Sequence, residues 1–485
     1  MAPTTTLPHD LPTGSLVGGE WQAAPSTFEV HDPATGDVLA EVADADGAGA
    51  PAALDAAADA APAWRAASPR ARADVLADVH RTLLARGEEI AALITAEGGK
   101  PLAESRAELT YGADYVRWYA EQAVRTGGLA RTAPAGGVRQ IVSRRPVGPS
   151  LLVTPWNFPL AMATRKIAPA LAAGCTVVVK PARLTPLTTM LVAEIVRTTL
   201  ATHDLPTGVL NVVTGTSASR LTEPLLADRR LRKLSFTGST DVGRTLLAGA
   251  AQGILRTSME LGGNAPFLVC DDADLDLAVT SLLQAKMRNS GQTCVAANRI
   301  YAQAGIADEL TARLTEAFAR LRVGPGARDG VEVGPLIEAP AVDRMDETVA
   351  GALADGARVT TGGDAPRGPG HFFAPTVLAD VPSDSVVLRE EIFGPVAPVT
   401  RFGTLDEGIA LANDTDAGLV AYAHTRDVST AMRLADELEA GMIGLNRGMV
   451  SDASAPFGGV KMSGLGREGG EAGLEEYLET VYVAL

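Results

Sequence analysis

The chain is short of what a disulfide-stapled, metal-clustered or membrane-spanning protein needs. Its 485 residues include 3 cysteines, Cys175, Cys270 and Cys294, odd in number and far apart. Neither a disulfide framework nor a zinc cluster is expected from them. No apolar run reaches membrane-spanning length, and the best stretch, Pro159 to Val179, is broken by Arg165 and Lys166. Met1 to Asp10 has no basic region followed by an apolar one, the pattern of a secretory signal. Positive charge is in deficit, with 42 Lys and Arg against 58 Asp and Glu and a net charge of −16. That balance suits neither nucleic acid nor an anionic membrane, but it leaves room for a local basic pocket. The expectation is a soluble cytoplasmic protein with no metal, nucleic-acid or membrane partner.

What is present is an ordinary globular mixture, 46% hydrophobic and 21% charged. The length suggests roughly two to four domains. The first dozen residues read as a loose arm. Ser68-Pro69 predicts a helix start, a hydroxyl cap followed by Pro at the first helical position. Val75, Val79 and Leu83 follow at helical spacing. Further helices are predicted from Glu88 to a stop at Gly98-Gly99, and from about Leu102 to Ala123. The pattern then changes to short apolar runs at Ser150–Val153, Thr176–Val179, Leu210–Val213, Leu234–Phe236 and Pro266–Cys270. Helical stretches such as Leu187–Leu200 separate them, which predicts βαβ units and a parallel sheet. A second α/β pattern runs from about Ala273 to Leu438, with helices at Leu275–Met287 and Ala307–Leu321. Two lobes with a cleft between them are the natural reading.

Several short segments carry chemistry. Asn289-Ser-Gly-Gln-Thr-Cys294 sets a cysteine in a turn after a helix, where backbone N–H groups favour thiolate. On spacing alone, such a cysteine is more often a packing residue, the reading given to Cys175 and Cys270. Met259-Glu-Leu-Gly-Gly-Asn264 puts Glu260 before a glycine pair at a strand edge. Taken alone, Glu260 reads as a surface carboxylate. Thr154-Pro-Trp-Asn-Phe-Pro159 offers the amide of Asn157 between two stiffening prolines, as an oxyanion donor requires. Phe236-Thr-Gly-Ser-Thr240 follows a strand and opens a helix, a place where backbone N–H groups and the helix dipole hold phosphate. Its spacing matches neither G-x-G-x-x-G nor a P-loop.

Taken together, these segments resemble the aldehyde dehydrogenase superfamily over nearly the whole chain. The resemblance rests on Thr154–Pro159, Lys180-Pro-Ala182, Phe236–Thr240, Glu260–Asn264, Gly291–Cys294, Glu391-Ile-Phe-Gly-Pro395 and Pro456-Phe-Gly-Gly459, in the family's order and at its separations. It implies that Cys294 is the nucleophile. Asn157, with the Cys294 N–H, would form the oxyanion hole, and Glu260 would be the base that hydrolyses the thioester. Acylating relatives lack this glutamate, so a free carboxylic acid is the implied product. The resemblance also implies cofactor contacts: Trp156, Gly238 and Ser239 at the pyrophosphate, Lys180 at a ribose, Glu391 at the nicotinamide ribose, and Phe393 beside the nicotinamide ring. Three residues after the lysine, NAD-preferring members often carry glutamate. Arg183 stands there and can pair with a 2′-phosphate, so NADP is the expected cofactor, with NAD as the other candidate.

Within the superfamily, Thr164-Arg165-Lys166 and Arg288-Asn289 resemble the succinate-semialdehyde dehydrogenase branch. There, two arginines bind the substrate carboxylate at the tunnel mouth. Ion pairing of Arg165 and Arg288 on helix surfaces is the plainer alternative. That branch usually adds a serine hydroxyl before Pro-Phe-Gly-Gly. Here Asp452 takes the place, with Ser451 just before it, and an aspartate would repel an anionic substrate.

The fold class implied is α/β and aldehyde dehydrogenase-like. Residues 1–125 and 147–258 would form a Rossmann-like cofactor domain and 259–461 an α/β catalytic domain. Residues 126–146 and 462–485 would form a β oligomerisation arm and C-terminal segment. Thr480 to Val483 are strand-favouring types suited to an added edge strand, which points to a homodimer or homotetramer. The implied function is NAD(P)-dependent oxidation of a small-molecule aldehyde, first of all succinate semialdehyde. Alternatives are a broad-range or amino-aldehyde dehydrogenase, a cysteine-dependent ester or thioester hydrolase, and a catalytically silent binding protein on this fold.

Overall fold

In the computed structural model, which describes residues 7–45 and 47–485, Ser68 caps the helix Pro69–Ala85 by accepting from the Ala71 N–H at 3.1 Å. The start of the N-terminal segment read as a loose arm, residues 1–6, lies outside those described. The next helix, Gly87–Gly98, ends where Gly99 turns left-handed at φ +76°. The chain then enters Leu102–Ala123, which sets Glu104 and Glu108 one turn apart on one helix.

Strand Ser150–Val153 begins the larger sheet, of 8 strands. Its core is parallel and runs in the order Leu210–Val212, Val177–Lys180, Ser150–Val153, Lys233–Thr237, Arg256–Glu260. Antiparallel strands flank it, Ser15–Val17 with Glu20–Gln22 on one side and Gly464–Leu465 on the other. Pairing of Val153 with Lys180 and of Thr237 with Glu260 aligns the carboxyl ends of these strands. Ligands of open parallel sheets bind at such ends, and Trp156, Asn157, Lys180, Gly238 and Glu260 all lie there or just beyond.

A second sheet, of 7 strands, runs Arg358–Thr361, Thr376–Ala379, Val396–Phe402, Ala297–Gln303, Ala265–Val269, Val420–His424, Met442–Leu445. The apolar run at Pro266–Cys270, read with the first group of strands, belongs here. The glycine pair Gly262-Gly263 carries the chain from Glu260 across to it. Separate buried cores back the two sheets. A third, antiparallel sheet pairs Leu478–Ala484 with Arg139–Pro146, and that strand in turn with Leu129–Thr132. Among the described residues no helix is long and apolar enough to cross a membrane.

Candidate active site

The loop before Cys294 has an unusual backbone. Asn289 and Ser290 hold φ of +52° and +56°, and Gly291 follows at +78°. Two consecutive left-handed residues other than glycine are costly and persist only where their surroundings hold them. Ser290 donates its hydroxyl to the Gly334 carbonyl at 2.9 Å, and Gln292 accepts from the Ile337 N–H at 2.9 Å. Asn289 donates its backbone N–H to the Glu104 carboxylate at 2.7 Å. At Gly291 a Cβ would lie 2.1 Å from the Gly394 carbonyl oxygen, so only glycine lets this turn pack on Glu391–Pro395. At Gly263 a Cβ would lie 2.1 Å from the Cys294 carbonyl oxygen, which brings the strand end of Glu260 against the cysteine loop.

The other segments close on the same place. The Asn157 side chain donates to the Gln292 carbonyl at 3.0 Å. Glu391 accepts from the Gly263 N–H at 3.2 Å, and the Gly238 N–H donates to the Glu260 carbonyl at 3.1 Å. Trp156 and Phe393 meet edge to face with centroids 5.6 Å apart, Phe393 being held at φ +50°. The Thr154 N–H donates to the Lys180 carbonyl, and Phe457 faces the Arg165 guanidinium at 4.2 Å. Contacts thus draw all seven segments together around Cys294 and Glu260.

The electrostatics here follow from burial. The Cys294 thiol is pushed up to about 12, chiefly by desolvation, while Arg165 draws it down. Glu260 is 2% exposed, and neither of its carboxylate oxygens has a hydrogen-bond partner among the described residues. Burial, then repulsion from Glu468, holds its carboxyl well above the usual range. Glu391 is raised to about 7 by burial, against the Gly263 N–H and the Lys286 charge. Lys180 is lowered to about 8 by burial and then by Arg183.

These groups fit a dinucleotide. Lys180 is buried, and among the described residues its ammonium makes one hydrogen bond, to the Pro181 carbonyl at 3.1 Å. Ser239 sits at the N-cap of helix Thr240–Gly253 without closing it by a side-chain bond, so N–H groups there stay open to a phosphate. Arg183 is 54% exposed and lies 3.6 Å from Glu338.

The substrate candidates separate. Arg165 is 1% exposed, deep inside rather than at a mouth, with its Nε 2.5 Å from Glu468, which also pairs with Lys166. Arg288 has no carboxylate in ion-pair contact among the described residues. It stacks over Phe158 at 4.7 Å and lines a small pocket with Gln284, Thr293, Val295, Tyr422 and Ser451. Asp452 is exposed and turns its carboxylate to the Ser454 N–H and hydroxyl, at 2.8 and 2.7 Å. Cys175 and Cys270 are free and buried.

Comparison with known proteins decides the family, which matches over residues 21–483. The chain belongs to the aldehyde dehydrogenase family. It is 52% identical to a succinate-semialdehyde dehydrogenase of Paenarthrobacter nicotinovorans, over 92% of this chain and 99% of that protein. It is 46% identical to a glutarate-semialdehyde dehydrogenase of Pseudomonas aeruginosa, over 97% of each. The crystal structure of an NADP-dependent enzyme of E. coli superposes with a TM-score of 0.95 at 46% identity, covering 98% of both chains. This aldehyde dehydrogenase is an NAD(P)-dependent oxidoreductase of aldehydes.

Sequence reading missed the charges beneath the site: the buried Lys100, Glu108, Lys286 and Glu468, and the half-buried Glu104. Glu104 and Glu108 at four-residue spacing beside Lys100 were the available signal. It is the same signal a solvated helix face gives.

Proposed function

We propose that this aldehyde dehydrogenase oxidises a short aldehyde with a carboxylate at its far end, succinate semialdehyde first, to the dicarboxylic acid. NADP is the preferred acceptor in this reading and NAD the second. The observation that carries it is Arg288, a half-buried guanidinium with no carboxylate in ion-pair contact among the described residues and only the longer-range charge of Glu104 near it, in a pocket walled by the neighbours of Cys294. A buried or half-buried cation left unpaired is poised for an anion.

Cys294 attacks the aldehyde carbon. Because burial keeps the thiol protonated at neutral pH, the S–H bond breaks as the C–S bond forms, its proton passing to solvent water and the negative charge to the former carbonyl oxygen. The Asn157 amide and the Cys294 N–H stabilise the oxygen that becomes negative. NAD(P), held by Trp156, Lys180, Gly238, Ser239, Glu391 and Phe393, supplies the hydride acceptor when bound. Glu260, desolvated and unpartnered, takes the proton of the water that hydrolyses the thioester. Arg165, which shares the single carboxylate of Glu468 with Lys166, adds positive potential near Cys294, and Ser451 adds a hydroxyl beside Arg288.

Glutarate semialdehyde is the second reading. Gly448 and Ser451 wall the Arg288 pocket with little side-chain bulk, and a relative 46% identical carries that name. A homodimer or homotetramer is part of the proposal, supported by the exposed Tyr482 and Leu485 on and beside an outer strand of the three-stranded sheet.

The test is initial rates of cofactor reduction, crossing NAD and NADP with succinate semialdehyde, glutarate semialdehyde, butanal and an amino-aldehyde. Preference for a carboxylated aldehyde with NADP is expected. Equal or better rates with butanal or the amino-aldehyde would overturn the substrate reading.

A further inference from the structure

Beneath the cleft lies a buried ion pair that the chemistry above does not use. Lys100, directly after the Gly98-Gly99 turn, is 1% exposed, and Glu108 is fully buried on helix Leu102–Ala123. The Lys100 ammonium is hydrogen-bonded to Glu108 Oε2 and donates to the backbone carbonyl of Asn157 at 2.7 Å. It also sits 4.0 Å over the Phe158 ring. The other carboxylate oxygen of Glu108 accepts from the N–H groups of Leu160 and Ala161, at 2.9 and 3.2 Å. A second donor reaches the same Asn157 carbonyl, the Asn289 amide at 3.1 Å.

Two buried charges are expensive, and a well-packed apolar pair would often serve stability as well or better. The contacts here point elsewhere. Residues 154–160 form neither helix nor strand, so the Asn157 carbonyl has no secondary-structure donor. Its two donors come from the Lys100 turn and from the cysteine loop. Fixing that carbonyl fixes the peptide plane after Asn157, and with it the direction in which the side-chain amide leaves the backbone. That amide already spans to the Gln292 carbonyl, two residues from Cys294.

We propose that Lys100 is a positioning residue for the oxyanion-binding amide. Paired with Glu108, it pins the Asn157 carbonyl and the first turn of helix Ala161–Ala173 as one unit, registered to the cysteine loop through Asn289. The inference rests on the assignment of Asn157 to the oxyanion hole. A misplacement of about 1 Å at such a group is worth roughly 100-fold in rate.

The experiment compares the wild type with Lys100→Met, Lys100→Met/Glu108→Gln and Asn157→Ala. Lys100→Met alone leaves the Glu108 charge buried and unpaired and is expected to lower Tm. The double variant removes both charges, keeps a carbonyl oxygen for Leu160 and Ala161, and is expected to recover Tm. Active sites are counted by the p-nitrophenol burst from p-nitrophenyl acetate, and rates are expressed per active site. In the double variant the per-site rates of acylation and of aldehyde-dependent cofactor reduction fall together, by about 10- to 100-fold, with KM for the cofactor within about threefold. Recovery of both Tm and per-site rate would overturn the proposal, as would the absence of countable sites in both Lys100 variants, which would make Lys100 a folding residue. If Asn157→Ala keeps the wild-type per-site rate, the oxyanion assignment itself falls. If Asn157→Ala is slow and the double variant is not, the Lys100 proposal alone falls.

Discussion

Replacing Arg288 by methionine separates charge recognition from packing. The methionine keeps an apolar chain against Phe158, whose ring the guanidinium covers at 4.7 Å. What is lost is the cation. Hydrogen bonds to a charged group are worth about 1.5–3 kcal/mol each, and truncating one partner of a desolvated pair costs about 2–5 kcal/mol. Taking about 3 kcal/mol, kcat/KM for succinate semialdehyde falls by roughly 150-fold. The loss shows mainly in KM, because the distant carboxylate is bound equally in ground and transition states. Butanal, of the same chain length without the carboxylate, changes by less than about threefold. Initial rates of cofactor reduction with both aldehydes read this directly. An equal loss for both would mean that Arg288 holds the pocket together, and no loss for either would remove it from recognition. Arg165→Met serves as the contrast. It breaks a buried pair with Glu468, so it lowers stability and slows both aldehydes alike.

Glu260→Gln keeps a stoichiometric burst of reduced cofactor but lowers steady-state turnover by about 100-fold or more, as rapid mixing will show; loss of the burst as well would move Glu260 to the first step. In the wild type, burial and Glu468 hold the Glu260 proton, so its basic form grows as pH rises and kcat climbs from neutral to alkaline pH; a flat profile would refute that. Arg183→Glu raises KM for NADP by about five- to tenfold at low salt and leaves NAD nearly unchanged, the effect being modest because Arg183 is exposed and shared with Glu338; equal shifts for both cofactors would contradict the 2′-phosphate role. His424 is fully buried against Phe267 with neither ring nitrogen hydrogen-bonded among the described residues, and burial lowers it to about 4. Its unfolded value is near 6.5, so the folded state loses stability as pH falls from about 6.5 to 4, by up to about 3 kcal/mol. His424→Phe flattens that fall in a series of thermal melts, and an unchanged slope would place the acid sensitivity elsewhere.

The residues proposed to meet substrate or cofactor were legible because their segments pair a turn-forming glycine or proline with one reactive side chain, as Gly291–Cys294 and Thr154–Pro159 do. The strands predicted at five short apolar runs were legible to within about a residue, since those runs alternate with helices. What was hidden were charges. Arg106 and Glu108 share one helix, yet Arg106 pairs with Glu88 at the surface and Glu108 is buried under the start of helix Ala161–Ala173. Nothing local separates the two, because the difference lies in which helix crosses above. Arg165 and Lys166 posed the same problem: their common partner, Glu468, is about 300 residues away in sequence. The left-handed Asn289 and Ser290 were equally silent, being held by Gly334 and Glu104 rather than by their own neighbours.

Asp452 shows where sequence and geometry pull apart over substrate. Beside an arginine pair it reads as a charge set against an anionic substrate. In the fold its carboxylate faces Ser454, whose N–H and hydroxyl hold it below the usual range, and the side chain lies in solvent. Ser451, not Asp452, lines the pocket with Arg288. A solvated charge acts on a neighbouring anion by about 1 kcal/mol or less, and salt screens it further. Arg288, with no carboxylate in ion-pair contact among the described residues, outweighs it in the proposed reading, and the carboxylated aldehyde stays favoured. Asp452→Asn is expected to raise kcat/KM for succinate semialdehyde by less than about fivefold at low salt, with the gain fading as salt is added. A rise of tenfold or more that persists at high salt would show that the carboxylate turns into the pocket when substrate binds. The preference would then be set by Asp452 and Arg288 together rather than by Arg288 alone.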